Sequence, residues 1–188
     1  MLRALFTVGL GTTLLVSSSA IQSQGAKPTP VSTAPVVILE TAKGAIEIET
    51  LPEDVPKSVA HFVALVKRGF YRGQRFHWVQ PTLVQTGDPY SRDITLQKQW
   101  GTGGSGPSRS TKPIGVAEFS KRPFTRGTVA LAYRPQWKPE TADSMFFILL
   151  ANNPGLNGKY TIIGRVTKGM NVADKIEMNE VIKNMTVK

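Results

Sequence analysis

The chain breaks into short apolar runs of strand length, and that rhythm constrains its fold more than any other feature. Val36 to Thr50 holds two such runs, with Ile46 and Ile48 alternating with Glu47 and Glu49, joined at Lys43 and Gly44. A period of two is what a half-buried strand requires, and a Lys-Gly junction between two such runs signals a hairpin. Further runs follow at Phe76 to Val79, Leu83 to Gln85, Thr128 to Tyr133, Phe146 to Leu150, Thr161 to Val166 and Val181 to Val187. Two stretches change to a helical period. In the first, Val59, Phe62, Val63 and Val66 share one face, with Asp54 as the expected cap, Pro56 in the first turn and Gly69 as the stop. In the second, Met170 to Met178, Val172 and Ile176 stand one turn apart. Many strands with two helices predict a mainly β domain, a closed antiparallel sheet whose open ends are plugged by helices.

Ahead of this domain the pattern is different. Met1 and Arg3 form a short positive region, Ala4 to Val16 is an apolar run broken by Gly9 and Gly11, and Ser18, Ser19 and Ala20 are small enough for cleavage. Residues 1–20 therefore read as a secretory signal peptide. The run is shorter than the roughly 20 apolar residues that span a bilayer, so no stable membrane insertion is expected after cleavage. Residues 21–35 are rich in Pro, Ser and Thr with little to bury, as in an extended tether, which leaves 36–188 as the folded domain. The mature protein is expected to be exported, to the periplasm or the medium. Absence of cysteine excludes a disulfide framework, a thiolate metal site and lipid attachment through an N-terminal cysteine.

The formal net charge is +10, and much of the excess clusters between residues 91 and 126. Arg92, Lys98, Arg109, Lys112, Lys121, Arg122 and Arg126 face only Asp93 and Glu118 there, in a segment rich in Gly, Ser and Pro. A single-strand nucleic-acid surface interleaves such charge with stacking aromatics. Only Trp100, Phe119 and Phe124 are near, so the segment reads as a solvated basic loop and no nucleic-acid partner is expected.

The segment Phe76 to Pro89, FHWVQPTLVQTGDP, resembles the strand motif FHRV(I/V)P-x-F-x-(I/V)QGGDP of the cyclophilin-type peptidyl-prolyl isomerases. Other blocks recur in the family's order. VVILETAKGAIEIETLPEDVPKSVAHFVALVKRGFYRGQRFH resembles the opening of bacterial members, and GTVALAY, Gly127 to Tyr133, follows. DSMFFILL, Asp143 to Leu150, is similar to (G/D)SQFFI, and LNGKYTIIGRV, Leu156 to Val166, to LDG-(K/Q)-(H/Y)-TVFG-(R/K)V; GMNVADKI resembles GM-x-V-(V/A)-x-x-I. The likeness covers roughly residues 36 to 183, and five blocks in register make it specific. It implies a closed eight-stranded antiparallel barrel with a helix at each end. It also implies isomerase activity with neither metal nor cofactor, and proline-containing segments of unfolded or exported proteins as partners of a monomer.

Prolyl isomerisation makes and breaks no covalent bond; its obstacle is amide resonance, a barrier of roughly 18–20 kcal/mol. A catalyst must bind the twisted amide better than the planar one. An apolar slot holds the ring and desolvates the amide, and a donor near the prolyl nitrogen favours its pyramidal form. The resemblance implies that Phe147, Leu83, Leu156 and Tyr160 wall the slot, with Ala132 beside them, and that Gln85 bonds substrate or orients the donor. One residue is missing between Pro81 and Gln85, which leaves Thr82 and Leu83 as alternatives for the family's first pocket aromatic.

Three departures fall on polar positions of the implied groove. Trp78 stands where the family has its catalytic arginine, Met145 where it has the glutamine of SQFF, and Tyr133 where it has asparagine or arginine. One indole N–H cannot imitate a guanidinium's five donors and fixed charge. Reduced isomerase activity is therefore expected. The rival reading is a catalytically silent module or holdase whose aromatic groove docks proline peptides, since proline stacks readily on aromatic rings. His77 is expected to face the barrel as a structural residue and His61 to lie at the helix surface or boundary. Two histidines without cysteines or a carboxylate motif make a poor metal site.

Overall fold

β1 (Val36–Thr41) and β2 (Gly44–Thr50) form the expected hairpin, in which Val37 pairs with Ile48 and Leu39 with Ile46. Directly opposed residues share a sheet face, so these four side chains enter the core together and all four are fully buried. The computed structural model describes Met1 and residues 34–134 and 136–188. The signal-peptide and tether readings thus fall outside the described residues, apart from Met1, Ala34 and Pro35.

The remaining strands are β3 (Trp78–Gln80), β4 (Leu83–Thr86), β5 (Thr128–Leu131), β6 (Phe146–Leu149), β7 (Ile162–Lys168) and β8 (Asn184–Val187). They join the hairpin in one antiparallel sheet of order β3-β4-β6-β5-β7-β2-β1-β8. The sheet curls into a half-barrel. Its edge strands β3 and β8 form no ladder with each other; just ahead of them Arg75 and Val181 make an isolated antiparallel bridge. The sheet is thus a half-barrel, short of the closed barrel expected from the sequence. β8 also starts later than the apolar run from Val181 suggests, because Val181 is used in this bridge.

Helix α1 (Pro56–Lys67) buries Val59, Phe62, Val63, Leu65 and Val66. Phe62 meets Phe146 edge-on at 5.3 Å between ring centres. Pro56 occupies the first turn as expected, but Asp54 does not cap. Val55 takes the capping position without a side-chain bond, and the Glu118 carboxylate, from a distant loop, accepts from the Lys57 and Ser58 amides at 3.2 and 2.7 Å. Asp54 instead pairs with Arg122. An anion at this end satisfies orphan amides and the helix dipole whichever segment supplies it.

Helix α2 is a single turn, Met170–Ala173, shorter than the predicted Met170 to Met178. Beyond it the bonds tighten to i−3, Lys175 N to Val172 O and Ile176 N to Ala173 O, and the chain turns away. Val172 and Ile176 still face the core, as their spacing predicts. Among the described residues no helix is long and apolar enough to cross a membrane.

Two apolar clusters result. The main one fills the concave side of the sheet under α1 and α2. The second, Phe124, Ala130, Ala132, Met145, Phe147, Leu149 and Ile162, forms on the other face.

Candidate active site

Strand register decides which residues meet on that second face. Trp78 opposes Gln85, Gln85 opposes Phe147, and Phe147 opposes Ala130, so a single row crosses β3, β4, β6 and β5. The adjacent row, Val79, Val84, Ile148 and Val129, points the other way into the main core. Of the paired rings Phe146 and Phe147, the first is core and the second belongs to the outer face. A slip of one residue in any of these strands would exchange the rows.

The row supports two adjoining surfaces. One is apolar: Phe147, 3% exposed, lies against Tyr160 edge-on at 5.4 Å and stacks near Phe124 at 6.4 Å. Leu83, Leu156 and Tyr160 pack around it with Ala132 and Met145. The other is an open cavity of about 280 Å³ lined by His77, Trp78, Gln85, Trp100, Gly101, Tyr133, Arg134 and Met145. Met145 belongs to both, and Tyr133 joins them by packing at a tilt on Tyr160, 4.8 Å between ring centres, while its hydroxyl donates to Lys159 O. Trp78, Leu83, Gln85, Ala132, Tyr133, Met145, Phe147, Leu156 and Tyr160 therefore lie on two contiguous surfaces, whereas Thr82, the alternative to Leu83, is on neither. Trp78 is 45% exposed at the rim.

His77 departs from its expected place. The motif around it predicts a ring that faces the barrel, yet the ring lines the cavity, and Gln85 Nε2 donates to its Nε2 at 3.2 Å. Burial holds this imidazole below its usual range, against the opposing pull of the Asp88 charge, so it is a neutral acceptor that orients the Gln85 amide. His61, at the helix boundary as expected, is engaged: its Nε2 lies 3.0 Å from Asp143 Oδ1.

The glycine-rich loop that forms one wall is held by two buried carboxylates. Asp88 accepts from the amides of Tyr90, Thr102 and Gly103. Asp143 accepts from Ser105 N, Ser105 Oγ and Lys112 N at 2.7, 2.6 and 2.7 Å, besides His61. Burial alone would raise the Asp143 pKa, but the bonds from His61, Ser105 and Lys112 outweigh it and hold the group below the usual aspartate range. Gly104 is required here, because a Cβ would collide with the Asp143 carboxylate and with Thr111 Cα. At the end of β4, Gly87 (φ +99°) lets the chain pass Ser144, whose hydroxyl donates to Gly87 O. Its neighbour Thr86, a glycine in the family motif, is buried with its hydroxyl on Arg75 O. Sequence reading missed Asp88, Asp143, Trp100 and Arg134 as parts of this site. A Gly-rich loop flanked by two motif aspartates, Asp88 near the end of one block and Asp143 at the start of another, was the available signal.

The family model for cyclophilin type peptidyl-prolyl cis-trans isomerase/CLD matches residues 36–188, the whole of this domain. The chain belongs to that family. A probable peptidyl-prolyl cis-trans isomerase of Brucella abortus is 41% identical to this cyclophilin over 153 residues, covering 81% of this chain and 76% of the relative. A peptidyl-prolyl cis-trans isomerase of Helicobacter pylori is 34% identical over 152 residues, covering 78% and 83%. Among solved structures, a cyclophilin type isomerase of Cryptosporidium parvum superposes with a TM-score of 0.66 at 25% identity, covering 82% of this chain and 98% of that one. A second crystal structure of the same protein, obtained in the presence of the dipeptide Ala-Pro, gives the same TM-score.

Proposed function

We propose that this cyclophilin isomerises X-Pro bonds in extended segments of exported proteins, with turnover reduced by the tryptophan at position 78. The observation that carries the reading is the register row, which sets Trp78 and Gln85 beside the apolar surface of Phe147, Leu83, Leu156 and Tyr160. The prolyl ring seats against Phe147 with Leu83, Ala132 and Leu156 as walls. The peptide preceding the ring crosses Met145 toward the 280 Å³ cavity, where Gln85, oriented by His77, offers an amide to the substrate backbone. Apolar walls desolvate the amide and so lower the cost of twisting it, since a planar, charge-separated amide gains more from water than a twisted one. Export rests on the signal-like residues 1–20, with the mature chain starting near Ile21 as a monomer.

A second reading, a proline-peptide docking module or holdase, is favoured by the exposed indole of Trp78 and the thioether of Met145, which give the groove adhesion in place of polar donors. An exchange NMR or protease-coupled assay on an X-Pro tetrapeptide, together with a binding titration, separates the two. Binding with measurable turnover supports the isomerase, and binding without turnover supports the docking module. Phe147→Ala is expected to abolish both, because it removes the wall against which the ring rests. Peptide binding that survives Phe147→Ala would place the proline elsewhere and refute both readings.

A further inference from the structure

The cavity beside Trp78 holds a charge that the strand motif does not account for. Of its eight lining residues, Arg134 alone carries a permanent charge, and no carboxylate lines the cavity with it. Arg134 follows β5, whereas Trp78 lies on β3, with β6 and β4 between them in the sheet. The two residues thus border one cavity from opposite ends of the row, Trp78 at its β3 end and Arg134 just beyond its β5 end.

The guanidinium is held in place without being consumed. One terminal nitrogen of Arg134 donates to Thr102 O at 2.7 Å, and its central carbon lies 4.4 Å from the ring centre of Trp137. Thr102 is anchored in turn by its amide on the Asp88 carboxylate at 2.9 Å. Among the described residues, the other N–H groups of Arg134 make no hydrogen bond. A guanidinium carries five donors in a fixed fork, and one stacked on an indole stays in plane while the remaining donors face outward. A cation on an aromatic-lined wall with no carboxylate partner is best satisfied by a carbonyl oxygen or an amide nitrogen lone pair brought in by a ligand.

We propose that Arg134 is the cationic donor of this groove, contacting the peptide at the X-Pro amide from the β5 side in place of a side chain at position 78. This rests on the isomerase reading above and deepens it. As the amide twists, resonance is lost, the prolyl nitrogen becomes pyramidal and its lone pair becomes available; a donor that strengthens its bond at that moment stabilises the transition state over the ground state. Trp78 then serves as an apolar rim, and Thr102 with Trp137 sets the reach of Arg134.

The test is a comparison of kcat/KM on an X-Pro tetrapeptide across Arg134 variants in two backgrounds. Arg134→Ala is expected to lower kcat/KM by at least roughly 30-fold, somewhat less than the roughly 100- to 1,000-fold for loss of a preorganised oxyanion donor, while the peptide Kd moves by less than about threefold. Arg134→Gln keeps an N–H for Thr102 O and so guards against loop collapse; the same loss is expected, because the charge is gone. Arg165→Ala, which removes a surface cation paired with Glu49 on β2, is the control and leaves activity unchanged. In the Trp78→Arg background, Arg134→Ala should cost less than about threefold, since a guanidinium has been returned from the β3 side and the two substitutions act on one function. Equal losses in both backgrounds, or full activity in Arg134→Gln, would overturn the assignment while leaving the isomerase reading intact. A wild-type protein that binds no proline peptide and turns none over would remove the isomerase reading and the assignment with it.

Discussion

Asp143→Ala tests whether the wall of the groove depends on one carboxylate. The residue is 5% exposed and its carboxylate accepts four hydrogen bonds, from His61 on α1, from the amide and hydroxyl of Ser105, and from the Lys112 amide. Bonds to a charged acceptor contribute about 1.5–3 kcal/mol each, but they are not additive here because Ser105 and Lys112 sit on one loop and can turn to water together. The expected loss is therefore about 3–5 kcal/mol, the range for breaking a buried charged cluster by removing one partner. For a domain of this size that corresponds to a fall in Tm of about 10 °C, since each kcal/mol shifts Tm by about 2–4 °C. Hydrogen exchange locates the effect: the Leu39 and Ile148 amides in the strands should lose protection only by the fall in global stability, while the Ser105 and Lys112 amides lose it through local opening of the loop as well.

The same carboxylate gives a pH dependence whose sign follows from its depressed pKa. Above the unfolded-state value, about 3.9, both states are ionised and the stabilisation is complete. As pH falls below that value toward the lower folded-state pKa, the unfolded chain takes up its proton first and the stabilisation is lost. The difference in Tm between wild type and Asp143→Asn should accordingly be constant near neutrality and shrink below about pH 4. An Asp143→Ala protein that melts within about 2 °C of wild type, with Ser105 and Lys112 still protected, would refute the account.

Trp78→Arg should raise kcat/KM on an X-Pro peptide by at least roughly tenfold, because it adds a charged donor to an intact slot; weaker peptide affinity with no gain in turnover would show a groove remade for docking. Gly87→Ala should destabilise by about 3 kcal/mol in denaturant melts, since it combines a positive φ with a Cβ driven into the Ser144 backbone. N-terminal sequencing of exported material should begin near Ile21, and an intact Met1 to Val16 segment in a membrane fraction would count against cleavage. Binding of the basic loop to DNA should be weak and fall steeply with salt; affinity that persists at high salt would overturn the solvated-loop reading.

Alternation and motif order were sufficient for the strands, for α1 and for the apolar wall. The period of two around Phe146 to Leu150 already separates a core ring from an outward one, and the blocks shared with cyclophilins decide that Phe147 is the outward one. These are local signals, because a strand's two faces are written in consecutive residues. The contacts that complete the site are not written that way. Asp143 meets His61 across 82 residues, Glu118 caps α1 at Ser58 across 60, and Arg134 reaches Thr102 across 32. No window of sequence contains either partner's need for the other, and Asp54 was the reasonable local choice for a cap that a distant glutamate in fact supplies. His77 shows the same limit at closer range: its place depends on the β3 to β4 register that sets it beside Gln85, not on the character of a histidine next to Phe76. Folding decides such pairings because a buried charge or amide is satisfied by whichever partner the sheet delivers, and delivery is a property of the tertiary topology, not of the residues on either side.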